Sequence, residues 1–160
     1  MPNDAAQRRF AEIDVSPWTG DTPDAMLVLG AGEYSVQQAK DIVQLFAEVS
    51  TSCDVDAFIQ GFTEDSLTSF NDRHDIVGRA ALREFMAPRF AAFARPSADF
   101  LCRKRLRSLS GNIFGVIWVN HWRNPKTGDL RQAKGVEFWT MRNGLIARWD
   151  ASIVDWKLPA

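Results

Sequence analysis

The chain has 160 residues, of which 46% are hydrophobic and 24% charged, with a formal net charge of -1 and an isoelectric point near 6.1. This length favours a single domain that can bury a substantial core without disulfides or metals. The near-neutral charge gives no electrostatic reason to expect a nucleic-acid partner. No apolar run approaches the roughly 18 residues of a membrane span, so we expect no membrane partner.

The amino terminus and the cysteines narrow the class of protein further. The first four residues, MPND, do not begin a basic segment followed by an apolar one, so we expect no signal peptide and a cytoplasmic location. Cys53 and Cys102 lie far apart without CxxC spacing, and the chain has two histidines, His74 and His121, in no HxxxH or HExxH motif. This inventory argues against a disulfide framework and a structural zinc site. We expect neither a metal nor a cofactor.

Residues 1–34 are polar and rich in Pro and Gly, and we expect them to form an extension in front of a domain that spans residues 35–160. Within the extension, the segment from Met26 to Gly32 is similar to the strand and turn of a dinucleotide-binding fingerprint. Against that reading, Ser35 stands at the third glycine position and no second apolar strand ending in an acid follows. A plain turn and a helix N-cap are the stronger interpretation.

Three helices are predicted in the first two thirds of the chain. Ser35 is a good N-cap for a helix with apolar spacing over residues 36–52. A second helix begins at residue 54 or 56 and extends to residue 62. A third covers residues 79–94, and we expect Pro88 to kink or interrupt it.

The strands follow from a change in apolar period. A short alternating strand is predicted at residues 66–70, and the period is two throughout the last third of the chain, where four further strands are predicted at residues 99–109, 113–123, 130–141 and 145–155. Asn143-Gly144 between the last two strands is a strong hairpin signal. Helices followed by an antiparallel meander predict an α+β fold, a curved sheet packed on three helices.

This order of elements resembles the nuclear transport factor 2-like superfamily, which includes ketosteroid isomerases, limonene epoxide hydrolases and SnoaL-like polyketide cyclases. The resemblance covers residues 35–155. It rests on Phe62-Thr-Glu-Asp65 at the end of the second helix, on residues 77–85 at the start of the third, and on residues 136–146 followed by Arg148-Trp149. It implies a cone-shaped cystatin-like fold, which hosts many chemistries and some proteins that are not enzymes.

The functional residues of these families transfer only in part. Aligned with ketosteroid isomerases, Phe46 stands where the family has its oxyanion-hole tyrosine and Phe70 where it has the general-base aspartate. The position of the protonated acid is filled by a like residue, Glu137. Aligned with limonene epoxide hydrolases, the last-strand aspartate falls at Ala151, and alternation places Asp150 on the opposite face. Neither family's full catalytic array is present, so steroid isomerisation is not expected.

Glu137 is nevertheless the first functional candidate. A carboxylate between Phe138 and Trp139 in a strand is costly to bury unless it is hydrogen-bonded, paired or protonated. The alternative is a rim glutamate that pairs with an arginine. If Glu137 points inward, strand alternation predicts an aromatic pocket for a small hydrophobic molecule with one carbonyl or hydroxyl group. The predicted pocket side chains are Phe46, Phe70, Trp118, Asn120, Trp122, Trp139, Trp149, Ala151 and Ile153. In the alternative, the indoles fill the cone and leave no void.

The remaining polar candidates are weaker. We expect Asn120 to orient a ligand and His74 either to act as a second proton-transfer group or to be a solvated loop residue. Alternation places His121 on the outer face of the sheet. Cys102 has inward parity and either touches the cavity or is a buried inert thiol.

Two features of the predicted strands bear on possible binding partners: a row of alternating arginines and an apolar outer face. The alternating arginines 103, 105 and 107 can bind an anion, pair with Glu137 or Asp150, or form a solvated ladder. Ile117, Val119 and Phe138 have outward parity and need cover, which a homodimer through the sheet, common in the superfamily, would supply.

The sequence therefore predicts a small-molecule-binding protein. It is either a cofactor-independent isomerase, lyase or cyclase that acts by acid/base chemistry, with Glu137 as acid/base or hydrogen-bond donor, or a non-catalytic ligand-binding or protein-association module, such as an accessory subunit.

Overall fold

The computed structural model describes residues 27–29, 32–71 and 73–159, with the backbone alone for residues 27–29 and 73–75. In this part of the chain there are three α-helices and eight β-strands. Their order is β1 (Leu27–Leu29), α1 (Val36–Ser52), α2 (Val55–Ile59), β2 (Phe62–Phe70), β3 (Arg73–Val77), α3 (Arg79–Phe93), β4 (Leu101–Ser110), β5 (Ile113–Arg123), β6 (Leu130–Arg142), β7 (Leu145–Ala151) and β8 (Val154–Lys157). A short 3₁₀ turn, Pro96–Ala98, leads from α3 into β4.

The strands form one mixed, curved sheet in the order β1-β4-β5-β6-β7-β2-β3. The β1–β4 and β2–β7 pairs are parallel, and the others are antiparallel. The long strand β6 has two partners on one side, because residues 131–134 pair with β8 and residues 137–142 pair with β7. Helices on one face of such a sheet confirm the predicted α+β cone.

Helix α1 begins as the sequence predicts. The Ser35 hydroxyl accepts a hydrogen bond from the Gln38 N–H at 3.1 Å, and the Gln38 side chain accepts one from the Ser35 N–H at 2.9 Å, which is a capping box. After α1 and α2 the chain enters β2 at the far side of the sheet from β1. A dinucleotide-binding unit would return the chain beside β1, so that interpretation is wrong; the N-cap is confirmed, and the turn at Gly30 lies outside the described residues.

The second helix is shorter than predicted. α2 ends at Ile59, and Phe62 is the first residue of β2, so the Phe62-Thr-Glu-Asp65 motif opens a strand instead of closing a helix. The reason is Gly61, where a Cβ atom would lie 2.0 Å from the Phe46 ring. Glycine is a poor helix former, and here it lets the chain turn close against α1 into the sheet.

Of the two effects predicted for Pro88, the interruption of the third helix is wrong, and a kink stays a prediction. α3 runs without a break to Phe93. It buries Leu82, Phe85, Met86 and Phe90 on one face, on both sides of the proline. This packing offsets the backbone hydrogen bond that proline cannot make.

The predicted last strand is divided in two. β7 ends at Ala151 and β8 begins at Val154, because the regular pairing with β6 is interrupted opposite Gly135 and Val136, where the Ser152 backbone packs against β6. A Cβ atom on Gly135 would lie 1.7 Å from the Ser152 carbonyl oxygen, so only glycine permits this approach. The preceding hairpin is confirmed, since Asn143 and Gly144 both have positive φ, at 52° and 79°.

The core lies between the helices and the inward face of the sheet. Its centre is a set of edge-on and tilted aromatic pairs whose ring centroids are 4.9 to 5.9 Å apart. These rings belong to Phe46, Phe58, Phe62, Trp139 and Trp149. Each buried ring contributes roughly 1.5–3 kcal/mol through the area it removes from water.

Candidate functional site

A cavity of about 220 Å³ lies between the helices and the inward face of the sheet. This is smaller than the roughly 300–1,000 Å³ of sites for drug-sized ligands, so the space suits a small molecule. The aromatic side chains that line the cavity are Phe58, Phe70, Phe90, Phe93, Phe100, Trp118, Trp122 and Trp149.

An ion pair lies in the wall of this cavity. The Lys104 ammonium donates to both carboxylate oxygens of Glu137, at 2.8 and 2.9 Å. The two side chains are 6% and 2% exposed. Lys104 is on β4 and Glu137 on β6, and both reach over the intervening strand β5. Glu137 therefore points inward, as predicted, but it pairs with a lysine of the cavity wall instead of an arginine of the rim.

Tryptophan side chains complete the surroundings of the ion pair. The Trp139 indole N–H donates to Glu137 Oε2 at 2.8 Å. The Lys104 nitrogen lies 5.7 Å from the ring centroids of both Trp118 and Trp139, within range of a cation–π attraction. The carboxylate thus accepts three hydrogen bonds. Taking two charges out of water still costs several kcal/mol per ion, so the buried pair is weak evidence for stability.

Three polar atoms of the cavity-lining side chains lack a partner. Among the described residues, no hydrogen bond reaches Asn120 Oδ1, Trp118 Nε1 or Trp149 Nε1, although all three atoms are buried. A buried polar atom without a partner costs about 1–3 kcal/mol. A bound molecule or a water in the cavity can relieve this cost.

Cys102 lines the same cavity. Burial raises the pKa of its thiol, and the Glu137 carboxylate acts in the same direction, while the Lys104 ammonium acts against them. A thiol with a raised pKa is a poor nucleophile near neutral pH. Cys102 is therefore a weak candidate for a nucleophile in this cavity.

The structure brings most of the predicted pocket residues together. Trp118, Trp122, Trp149, Phe70, Ile153 and Asn120 line the cavity beside Glu137. Phe46, Trp139 and Ala151 are buried in the core but do not line it. Phe46 packs behind Trp139, with ring centroids 4.9 Å apart. The His74 side chain is outside the described part of the chain.

Lys104 is the functional candidate that the sequence analysis missed. The sequence interpretation considered the alternating arginines 103 and 105 but not the lysine between them. The signal was available, because Lys104 has the same strand parity as Cys102 and Leu106, which point inward. The predicted pairing of the alternating arginines with Glu137 or Asp150 is wrong. Glu137 pairs with Lys104. Asp150 accepts hydrogen bonds from Arg148 at 2.7 and 2.9 Å.

Two other features of the described residues bear on function. They contain no group of three or more His, Cys, Asp or Glu side chains placed to hold a metal ion. No helix among them is long and apolar enough to cross a membrane.

Comparison with known proteins assigns the family. The family model for the SnoaL-like domain matches residues 43–149, about two thirds of the chain. The chain belongs to the SnoaL-like domain family. None of the curated proteins matches it.

Solved structures agree with this SnoaL-like fold. The chain is similar to a proposed polyketide cyclase from Xanthomonas campestris pv. campestris, with 24% identity, a TM-score of 0.57, and coverage of 72% of this chain and 90% of that one. It is also similar to SalBIII, an epoxide hydrolase/cyclase-like enzyme in pyran ring formation in the polyether salinomycin, with 20% identity, a TM-score of 0.64, and coverage of 76% and 97%. A computationally designed 17-OHP binder matches with 14% identity, a TM-score of 0.57, and coverage of 75% and 98%. At these identities the likeness extends to the fold alone.

Proposed function

We propose that this SnoaL-like domain binds a small, mainly apolar molecule with a carbonyl or hydroxyl oxygen, and that it is a cofactor-independent isomerase, lyase or cyclase. The buried Lys104–Glu137 pair in the wall of an aromatic cavity is the observation that carries the proposal. The aromatic rings hold the apolar body of the ligand, and the ion pair fixes the position of its oxygen.

The proposed roles follow from the hydrogen-bonding capacity of each group. An ammonium group has three N–H donors, and Lys104 uses two on Glu137, so the third is available to a ligand oxygen. A donor at this oxygen stabilises the negative charge that develops when a proton leaves the adjacent carbon. Glu137 is the base that takes this proton and returns it. Asn120 orients the ligand through its amide, and His74 is the proposed second proton-transfer group.

A second candidate function is ligand binding without catalysis. It is favoured by one observation: the Glu137 carboxylate already accepts three hydrogen bonds, two from Lys104 and one from Trp139, so its oxygens are already engaged before a ligand binds. The 17-OHP binder illustrates that a protein of similar fold was designed to bind a ligand.

Solvent deuterium exchange separates the two functions. Small ketones that give a dissociation constant by calorimetry are incubated with the protein in D₂O, and deuterium at the carbon next to the carbonyl is measured by NMR. If the protein is an enzyme, Glu137→Gln loses exchange and keeps binding within a few-fold. Asp150→Asn, on the outer face of β7, is the control that keeps both. Binding without exchange in the unaltered chain identifies a binding module.

We also propose that the outer face of the sheet forms a homodimer. Val136 and Phe138 on β6 are 50% and 53% exposed, and Ile117 on β5 lies beside them. Such a contiguous apolar patch is typical of an association surface. Sedimentation of the unaltered chain should give a dimer that Phe138→Glu converts to a monomer. If the unaltered chain is a monomer at all concentrations, the dimer proposal is wrong. The cavity proposal does not depend on this result.

A further inference from the structure

Two polar atoms of β5 are without partners in the wall of the cavity. Trp118 and Asn120 are two residues apart, so strand alternation directs both side chains to one face, and both line the cavity. In the part of the chain that the structure describes, no hydrogen bond reaches the Trp118 indole nitrogen or Asn120 Oδ1, although both atoms are buried. The strand therefore presents one N–H donor and one oxygen acceptor that are not satisfied.

The neighbouring ion pair does not provide these partners. Lys104 has no acceptor for the Trp118 N–H, and its nitrogen lies over the face of that ring, 5.7 Å from the centroid. The Glu137 carboxylate accepts its hydrogen bonds from Lys104 and from the Trp139 N–H. Trp118 Nε1 and Asn120 Oδ1 therefore form a second polar point in the cavity wall, separate from the ion pair.

The second polar point lies at a different level of the cavity from the ion pair. On β5, Trp118 is buried, whereas the residues that follow it are half-buried or exposed. The β5 residue opposite Lys104 is Trp118, and the β5 residue opposite Glu137 is Val116. Asn120 is two and four residues beyond these positions, or roughly 7 and 13 Å along the strand. A ligand that contacts both points therefore needs two polar groups with an apolar segment between them.

A hydroxyl group fits the second polar point. Its hydrogen donates to Asn120 Oδ1 and its oxygen accepts from the Trp118 N–H, whereas a ketone or ether oxygen can only accept. A carboxylate or an ammonium group would add a charge to a wall in which the Lys104 and Glu137 charges already balance, and an uncompensated charge is costly to bury. The second polar group of the ligand is therefore neutral and is both a donor and an acceptor.

We propose that the ligand of this cavity is a small hydroxyketone. Its carbonyl oxygen accepts from Lys104, and a hydroxyl group several carbon atoms away is held by Asn120 and Trp118. Asn120 is then the residue that selects for the hydroxyl group. This assignment rests on the proposed function, because it adds a second polar group to the same ligand.

Calorimetric titration with matched cyclohexanones tests the proposal. The probes are cyclohexanone, its derivative with a hydroxyl group at the carbon opposite the carbonyl, its derivative with a hydroxymethyl group there, and the dione with a second carbonyl there. We expect one of the two hydroxylated probes to bind roughly tenfold more tightly than cyclohexanone, because a buried donor and a buried acceptor gain their partner. The dione should bind more weakly than this probe, because it offers no hydrogen to Asn120.

Variants at Asn120 assign the preference for the hydroxyl group to its amide oxygen. Asn120→Leu removes the acceptor at similar size, so the preference should fall to about twofold or less. Asn120→Asp keeps an acceptor oxygen and should retain the preference, which separates the oxygen from packing. Gln132→Leu is the matched control that should also retain it, because Gln132 has the strand parity opposite to that of Ala133, which lines the cavity. If Asn120→Leu does not fold, Trp118→Phe replaces it and should also lower the preference.

The outcomes separate the hydroxyl site from the proposed function. Equal affinities for cyclohexanone and both hydroxylated probes overturn the hydroxyl site and leave the proposed function standing. A dione that binds as tightly as the hydroxylated probes, or a preference that persists in Asn120→Leu, also overturns the role of Asn120. If none of the probes binds, the proposed function is wrong and the hydroxyl site is wrong with it.

Discussion

Replacing Lys104 by Met tests whether the buried charges of Lys104 and Glu137 stabilise each other, as their distances of 2.8 and 2.9 Å indicate. The substitution leaves the Glu137 carboxylate 2% exposed with the Trp139 N–H as its remaining partner. Removing one member of a buried pair costs about 3–5 kcal/mol, and the retained Trp139 bond places the cost near the lower end. For a domain of this size, about 3 kcal/mol lowers Tm by roughly 6–12 °C.

The double variant Lys104→Met/Glu137→Gln supplies the decisive comparison. It removes both charges and keeps an acceptor for Trp139, so we expect it to recover at least half of the stability that Lys104→Met loses. Urea unfolding gives the free energies. The control is Arg83→Met at the exposed Arg83–Asp56 pair, which should leave the midpoint unchanged. A Lys104→Met variant as stable as the unaltered chain, or a double variant with additive losses, refutes the reasoning.

Three further predictions concern a thiol, an acid and a glycine. Burial and the neighbouring Cys102 raise the pKa of the Cys53 thiol to about 11 from 9.0. At pH 8 this thiol should therefore react with Ellman's reagent about a hundredfold more slowly in the folded chain than in urea. Equal rates in the two conditions contradict the prediction. The Lys157 ammonium lowers the pKa of Asp129 from 3.8, so this pair adds stability above about pH 4 and loses it as the pH falls; Lys157→Met should be less stable at pH 6 and approach the unaltered chain toward pH 2. Gly135→Ala should lower the free energy of unfolding by about 1–3 kcal/mol because its Cβ meets the Ser152 carbonyl, and a neutral result excludes the close contact.

The fold could be predicted wherever local chemistry and tertiary packing agree. Ser35 has both halves of a capping box within four residues, and Asn143-Gly144 has the positive φ values that its turn requires. Predictions failed where a distant contact decides. The end of α2 depends on the Phe46 ring against Gly61, and the division of the last strand depends on the close contact between Ser152 and Gly135. The members of each contact belong to different elements, so the pattern of a single helix or strand does not predict either contact.

The residues of the candidate site could likewise be predicted only in part. Strand parity is a property of a short segment, and it placed Glu137, Trp118 and Asn120 in the cavity wall correctly. The partner of Glu137 could not be found within its own strand, because Lys104 is 33 residues away on β4. Arg103 and Arg105 dominate the basic run on β4, but Lys104 between them has the opposite strand parity and is the residue that contacts Glu137.

The most direct test of the central claim is a crystal structure with a small carbonyl compound at a saturating concentration. The account predicts the compound inside the aromatic cavity with its oxygen within about 3.2 Å of the Lys104 nitrogen. An empty cavity with the compound bound on the outer face of the sheet, or an oxygen directed away from both Lys104 and Glu137, would contradict it.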